Sequence, residues 1–184
     1  MSTEKELYLE PVYSPHVLEL IRLGHEYCLF IEKAGQYSKD EIFQFIHKMF
    51  PMLYLKGLFI PGIEKEQTES GGRFVTGEEW ESVFSTLRAQ LDVKDQFWVI
   101  DPEITGGDEP VKMSLAENLT DIYQDIKDFI MQYQKNKRAA KEIAVMECKE
   151  WFRDRWGKKI AESVNYLHYM TFILRPDSGY EDLM

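Results

Sequence analysis

The sequence predicts an all-α fold, an antiparallel bundle of about six helices. Three observations lead to this prediction. Apolar residues recur at helical spacing in six segments of the 184-residue chain. At the start of three of these segments, serine or threonine stands three residues before glutamate, which is the pattern of a capping box. The connections are mostly short, which favours antiparallel neighbours.

Proline and glycine punctuate the first two helical segments. Ser14-Pro15 supplies an N-cap and a proline at the first helical position, and Gly35 is a C-cap for the pattern that follows. The second segment begins at the capping box Ser38–Glu41. Because Pro51 removes one helical hydrogen bond inside this segment, we expect the helix to be kinked or broken there.

The middle of the chain is less regular. Residues 62–75 are polar and carry a pair of glycines, which predicts a flexible loop. The capping box Thr76–Glu79 then begins a third helix. The apolar run Phe97-Trp98-Val99-Ile100 has no obvious partner strand, so we expect at most one short extended segment near residues 97–100.

Three further helical patterns complete the chain. The first begins at the capping box Ser114–Glu117 and is clearly amphipathic as far as Tyr133. The other two follow a turn rich in lysine and arginine. We expect Gly157 to break or bend the chain between them, and Pro176 to end the last helix.

Length, composition and charge predict one helical domain over residues 1–184, with residues 1–13 and 177–184 loosely ordered. Hydrophobic residues make up 44% of the chain, enough to form a core. The formal net charge of −10 repels a phosphate backbone, so we expect no nucleic-acid partner. No apolar run reaches the length of a signal peptide or a membrane helix, and we predict a cytoplasmic protein with no membrane partner.

The two cysteines, Cys28 and Cys148, lie inside helical apolar patterns and lack CxxC spacing. We interpret them as buried free thiols of a reducing compartment. The sequence alone leaves a disulfide between them open.

Four acidic residues lie along one side of the helix that follows Ser114, namely Glu117, Asp121, Asp125 and Asp128. Carboxylates at this spacing are typical of metal ligands. At about 100° of rotation per residue, Glu117 and Asp121 fall away from the apolar stripe, and Asp125 lies near its edge. The alternative is a solvated acidic face, from which only Asp125 can easily turn inward.

Glu147 falls near the middle of an apolar helical face, between Ile143 and Trp151. A carboxylate there is costly unless it is paired or hydrogen-bonded. Burial would raise its pKa and make it a candidate acid, base or ligand. The alternative is a structural salt bridge with Arg153, Arg155 or an arginine of another helix.

The sequence has no recognisable catalytic motif. His168 lies at the border of the last apolar face, where packing is the alternative to a ligand role. HExxH and Glu-x-x-His patterns are absent, as are a phosphate-binding glycine loop and a GxSxG nucleophile elbow. We therefore predict no cofactor, and the sequence leans against an enzyme.

Five segments, in their order and spacing, resemble a known family. They run from Glu26-Tyr27-Cys28 to Ile31-Glu32, from Phe50-Pro51-Met52-Leu53-Tyr54 to Ile60-Pro61, over Phe97-Trp98-Val99-Ile100-Asp101-Pro102, from Leu115-Ala116 through Leu119 to Asp121-Ile122-Tyr123-Gln124-Asp125-Ile126-Lys127, and from Glu147 through Trp156-Gly157 to Leu167-His168. This set resembles the bacterial family called domain of unknown function 5063 and covers most of the chain.

The resemblance implies a small bacterial cytosolic helical protein and implies no activity. It leads us to expect histidine where this sequence has Arg155, and histidine or another basic residue near Lys158-Lys159. At Arg155 the sequence therefore departs from the family pattern. The resemblance also picks out nine shared positions, which are Tyr54, Trp98, Asp101, Asp121, Tyr123, Asp125, Glu147, Trp156 and His168.

We favour a helical binding or adaptor protein whose partner is a protein or a small molecule. The absence of catalytic motifs and the 14% aromatic content motivate this hypothesis, which a large exposed apolar patch would support. The candidate pocket or surface residues are Tyr54, Trp98, Asp101, Tyr123 and Trp156.

The alternative is a metal-dependent all-α hydrolase of the nucleotide-pyrophosphatase type. Such an enzyme holds Mg²⁺ with carboxylates from facing helices. The weak candidates for metal ligands are Asp121, Asp125, Glu147 and His168.

Overall fold

A computed structural model describes residues 10–64, 71–101, 106–107 and 109–173. Its helices and strands follow in the order α1 (Pro15–Glu32), α2 (Lys39–Leu58), α3 (Gly77–Leu91), β1 (Gln96–Ile100), β2 (Pro110–Ser114), α4 (Leu115–Tyr133), α5 (Arg138–Trp151) and α6 (Gly157–His168). Short 3-10 turns lie at Pro11–Tyr13, Ala34–Gln36 and Asp92–Lys94, and π-helical turns at Phe152–Trp156 and Tyr169–Ile173. The mostly helical class predicted from the sequence is confirmed.

The last two helices form one continuous stretch, so a bundle of six separate helices is not confirmed. α5 runs through the π-helical turn Phe152–Trp156 directly into α6. Gly157 does not break this stretch. A Cβ atom at this position would lie 2.3 Å from the carbonyl oxygen of Phe152. Glycine therefore permits a close approach beside the π turn, where we had expected an interruption. The described residues contain five continuous helical stretches.

The predicted kink or break at Pro51 does not take the form of a break, because α2 is continuous from Lys39 to Leu58. Pro51 lies on the exposed side of the helix, where water can replace the hydrogen bond that proline removes. Phe50 and Leu53 beside it are fully buried. Their packing holds α2 against the core across the proline.

The prediction of at most one extended segment is also wrong. β1 pairs with β2 in an antiparallel two-stranded sheet, with Trp98 opposite Lys112 and Ile100 opposite Pro110. A proline at its first residue and a lysine at its centre hid β2 from the apolar pattern of a strand. Gly106 and Gly107, both with positive φ, lie between the two strands.

Helix α4 is the centre of the fold and packs against α1, α3, α5 and α6. Its predicted apolar stripe is buried, and so are several polar residues on its other sides. These polar residues are Asn118, Thr120, Asp125, Asp128 and Gln132. In the part of the chain that the structure describes, no helix is both long and apolar enough to cross a membrane.

Parts of the segments predicted to be loose make defined contacts. Val12 is buried, and its carbonyl oxygen accepts a hydrogen bond from the Tyr133 hydroxyl at 2.6 Å. Residues 71–75 bind to α4 and α5, as described below. The remaining positions of these segments, 1–9, 65–70 and 177–184, lie outside the described residues.

Candidate functional site

Two aspartates of α4 and two arginines from other segments form a cluster of ion pairs. Nη1 of Arg73 donates hydrogen bonds to Oδ1 of Asp125 at 3.0 Å and to Oδ2 of Asp128 at 2.9 Å. Nη2 of Arg155 lies 3.0 Å from the same Oδ1 atom of Asp125. The aspartate side chains are 1% and 0% exposed, whereas those of Arg73 and Arg155 are 42% and 36% exposed. This arginine–aspartate cluster therefore presents cations to solvent above buried anions.

Backbone hydrogen bonds hold residues 71–75, which we call the strap, against α4 and α5. The N–H groups of Phe74 and Val75 donate to Oδ1 of Asp128 at 2.7 and 2.9 Å. The N–H group of Gly71 donates to Oε1 of Glu147 at 2.7 Å. A Cβ atom at Gly71 would lie 2.2 Å from Oε2 of Glu147. The strap therefore approaches this carboxylate more closely than any residue with a Cβ atom at position 71 would allow.

Glu147 is thus a buried acceptor that positions the strap. The two neighbouring arginines that we considered as its partners pair with other residues. Arg153 forms two hydrogen bonds with Asp154 at 2.6 Å, and Arg155 pairs with Asp125.

Arg155 reaches Asp125 from the π-helical turn that joins α5 to α6. Such turns are frequent at functional sites, because the extra residue changes the direction of the side chains that follow. Trp156, which ends the turn, is fully buried, and its indole N–H group donates to the carbonyl oxygen of Cys148 at 3.3 Å. The turn is therefore anchored in the core on one side and directs Arg155 to the cluster on the other.

Trp151 supports the second arginine. The Cζ atom of Arg73 lies 4.4 Å from the centroid of the Trp151 ring, which is the geometry of a cation–π contact. Arg73 is thus held by two carboxylates and by an aromatic ring. A guanidinium fixed in this way loses little side-chain entropy when it binds a ligand.

Asp125 is the least satisfied member of the cluster. Burial raises the pKa of its carboxyl group to about 6, although Arg155 and Arg73 act in the opposite direction. Its Oδ2 atom is buried and has no hydrogen-bond partner among the described residues. Since both arginines contact Oδ1, the second oxygen bears the full cost of leaving water.

Asp121 extends the polar contacts along α4. It accepts a hydrogen bond from the indole N–H group of Trp80 at 2.9 Å and pairs with Lys159 at 3.0 Å. Of the four acidic residues on this side of the helix, Glu117 alone is exposed. The other three face arginine, lysine or N–H donors, so they do not form a solvated acidic face.

The metal hypothesis gains no support from the side-chain positions. Over the described ranges, no group of three or more His, Cys, Asp or Glu residues is arranged to hold an ion. His168 lies away from the cluster, with its ring centroid 6.3 Å from that of His47 and 4.7 Å from that of Phe172.

Tyr123 is fully buried, whereas Tyr54 is partly buried. The Tyr123 hydroxyl donates to Glu79 at 2.5 Å and lies 3.1 Å from Glu32. The Tyr54 ring packs edge-on against Phe152, with centroids 5.3 Å apart. Both residues connect helices.

Trp98 and Asp101 lie at the hairpin. Trp98 is 63% exposed on β1, and buried Asp101 pairs with Lys158 at 2.9 Å. The structure therefore links Asp125 and Glu147 through the strap. Asp121 contacts α3 and α6 instead, and Trp98, Asp101 and His168 lie elsewhere.

The roles of Arg73 and Trp151 were not predicted from the sequence, and the partner predicted for Arg155 was Glu147 and not Asp125. Arg73 stands in a polar, glycine-rich stretch that has no helical pattern. The available signal was a mismatch of charge, since an acid near the edge of the apolar stripe needs a cation. Periodicity does not indicate which segment supplies that cation.

A second feature lies at the other side of α5. Four apolar side chains at the end of α2 are strongly exposed, and these are Met52, Leu55, Leu58 and Phe59. Next to them is an open groove of about 430 Å³ between the end of α2, residues 61–63 and α5. The groove is lined mainly by Leu58, Pro61, Ile63, Met146, Lys149 and Phe152.

Fold and site together define a mostly helical protein with an ion-pair cluster around its central helix. The family model described as domain of unknown function DUF5063 matches residues 11–172, and the chain belongs to this family, as the resemblance predicted. Protein BF1032 from Bacteroides fragilis, a structural genomics target with a crystal structure, is similar at a TM-score of 0.77 and 30% identity, over 88% of this chain and 96% of that one. No curated protein matches the chain.

Proposed function

We propose that the protein is a non-catalytic binding protein and that the arginine–aspartate cluster recognises an oxyanion of its ligand, a phosphate or carboxylate group. One observation carries this proposal. Two partly exposed arginines contact the same buried oxygen of Asp125 at 3.0 Å. Two guanidinium groups are thereby held next to each other, ready to bind one anion between them.

Both guanidinium groups retain donors for a ligand. Among the described residues, the cluster uses Nη1 of Arg73 and Nη2 of Arg155. Each guanidinium has five N–H donors in a planar fork that matches the two oxygens of a carboxylate or phosphate. The remaining donors of both residues suit bidentate binding.

The overall charge of −10 opposes anion binding, so the local arrangement has to overcome it. The two acidic members of the cluster are buried, and the two arginines are partly exposed. A ligand at the surface therefore meets the positive groups first. The raised pKa of Asp125 further reduces the negative charge beneath them.

The reactive groups of the chain favour binding over catalysis. Burial raises the pKa of the thiols of Cys28 and Cys148, and a protonated buried thiol is a poor nucleophile. Neither cysteine is in a disulfide. The cluster itself consists of ion-paired side chains and contains no serine, threonine or cysteine.

Calorimetric titration with sodium phosphate and sodium sulfate tests the proposal. We expect Arg155→Gln to weaken binding by about tenfold or more, because a hydrogen bond to a charged group contributes about 1.5–3 kcal/mol. Arg153→Gln is the matched control, since Arg153 lies in the same π turn, is exposed and pairs with Asp154. Equal affinity of the wild type and Arg155→Gln, or no binding of either oxyanion by the wild type, would refute the proposal.

A further inference from the structure

The exposed apolar residues at the end of α2 form one continuous rim. Met52, Leu55 and Phe59 share a helical face, because they are three and four residues apart. Leu58, which is 59% exposed, stands between this face and the groove. Large exposed apolar patches on folded proteins mark interaction surfaces.

The floor of the groove is closely packed. Phe152 packs against Tyr54 on one side and against Trp156 on the other, with centroid distances of 5.3 and 4.7 Å. A Cβ atom at Gly57 would lie 2.4 Å from the Phe152 ring. Because α2 and the π turn meet this closely, the groove is formed before a partner binds.

The wall of the groove carries a cation that is not neutralised within the described residues. Lys149 is exposed and lines the groove, with its Nζ atom 3.6 Å from the Cβ position of Gly62. Arg153 on the same wall pairs with Asp154, and Lys56 beside the rim pairs with Glu19. Glu150 also lines the groove. The charge at Lys149 therefore remains available to an acidic group.

We propose that this groove binds an amphipathic segment of a partner protein, with an apolar side chain in the groove and an acidic residue on Lys149. The mainly apolar lining suits the apolar face of such a segment. The positive charge of Lys149 favours a segment with an acidic residue beside that face. The site is separate from the oxyanion cluster. At about 100° per residue, Met146 and Lys149 fall on the side of α5 opposite to Glu147 and Trp151.

Selection from a random peptide library displayed on phage tests this inference on the full-length chain. We expect the enriched peptides to place an acidic residue one helical turn from a large apolar residue. Binding of these synthetic peptides should fall by about tenfold or more with Leu58→Asp or Lys149→Glu, as for a hot-spot residue. Leu29→Asp is the control, because Leu29 is an exposed leucine of α1 far along the helix from the rim.

A charge exchange makes the result specific. Replacing the acidic residue of an enriched peptide by lysine should abolish its binding to the wild type and restore binding to Lys149→Glu. This rescue also excludes unfolding as the cause of the loss. Peptides without an acidic residue, or peptides that bind Lys149→Glu as well as the wild type, would overturn the proposal.

The oligomeric state of the same protein samples tests whether a second copy of this chain occupies the groove instead. Light scattering of the wild type should give a monomer. A dimer that Leu58→Asp converts to a monomer would assign the groove to a second copy of this chain and would contradict the proposal.

Discussion

The two sides of α5 and of the π turn that follows it differ in whether their charged and apolar side chains have partners inside the protein. On one side, Glu147, Trp151 and Arg155 meet the strap and α4, and each charged group has a partner inside the protein. On the other side, Leu58 and Lys149 stand at an open groove. The first side consists of buried polar groups that are paired with one another. The second side is distinguished by exposed apolar groups. Substitutions of the buried acids on the first side should therefore affect stability, and substitutions of the exposed side chains on the second side should affect partner binding.

The largest expected effect is that of Asp128→Ala. Asp128 is fully buried and accepts hydrogen bonds from Arg73, Phe74 and Val75. Removing one partner of a buried ion pair costs about 3–5 kcal/mol, because the remaining charge is left without compensation. Urea denaturation should show this loss in the free energy of unfolding. Asp154→Asn is the control and should leave the midpoint unchanged; an equal loss for both variants would contradict the structural role of Asp128.

A smaller effect is expected at the contact between α2 and the π turn. Gly57→Ala places a methyl group against the Phe152 ring and should destabilise the protein by about 1–3 kcal/mol through overpacking. Gly77→Ala is the matched control, because a Cβ atom at this first residue of α3 has no neighbour within 4 Å. Thermal unfolding compares the two variants. A melting temperature of Gly57→Ala equal to that of Gly77→Ala would mean that the groove floor is not tightly packed.

On the side of α5 that faces the cluster, Asp125 should make the stability of the protein depend on pH. The pKa of Asp125 is raised to about 6 in the folded protein, above its unfolded value of about 3.9. The folded state therefore binds the proton more tightly, so Asp125 favours folding at low pH and loses this contribution as pH rises through about 6. Relative to Asp125→Asn, the wild type should gain stability between about pH 6 and pH 4.

Protonation of Asp125 at low pH should also strengthen anion binding. Protonation of Asp125 removes one negative charge from beneath the arginines, so the affinity for sulfate, whose charge is constant in this range, should rise as pH falls through about 6. Calorimetry on the wild type and Asp125→Asn measures this. A rise of the same size in the variant would show that another group is responsible.

The fold was more predictable from the sequence than the contacts of the candidate site were. Helical spacing identified the helices, and Ser38, Thr76 and Ser114 do cap α2, α3 and α4. The pattern failed at β2, because Pro110 and Lys112 interrupt its apolar character, and at Pro51, because packing on both sides outweighs one lost hydrogen bond.

Periodicity also identified the unusual acids, Asp125 and Glu147, but not what surrounds them. A hydrophobic stripe indicates which side of a helix faces the core. It does not indicate that a distant strap will bury the polar side of α4 as well. Arg73 and Asp125 are 52 residues apart, and no local pattern connects them. The partners of buried charges are set by tertiary contacts, so only the need for a partner is visible in the sequence.

The most direct test of the account is a titration of the protein with sulfate, followed by NMR of the arginine Nε–H groups. We expect the signals of Arg73 and Arg155 to shift together and to saturate with one dissociation constant, while the signal of Arg153 stays in place. Shifts of all three arginines in proportion to salt, or no saturable shift at Arg73 and Arg155, would contradict an oxyanion site at the cluster.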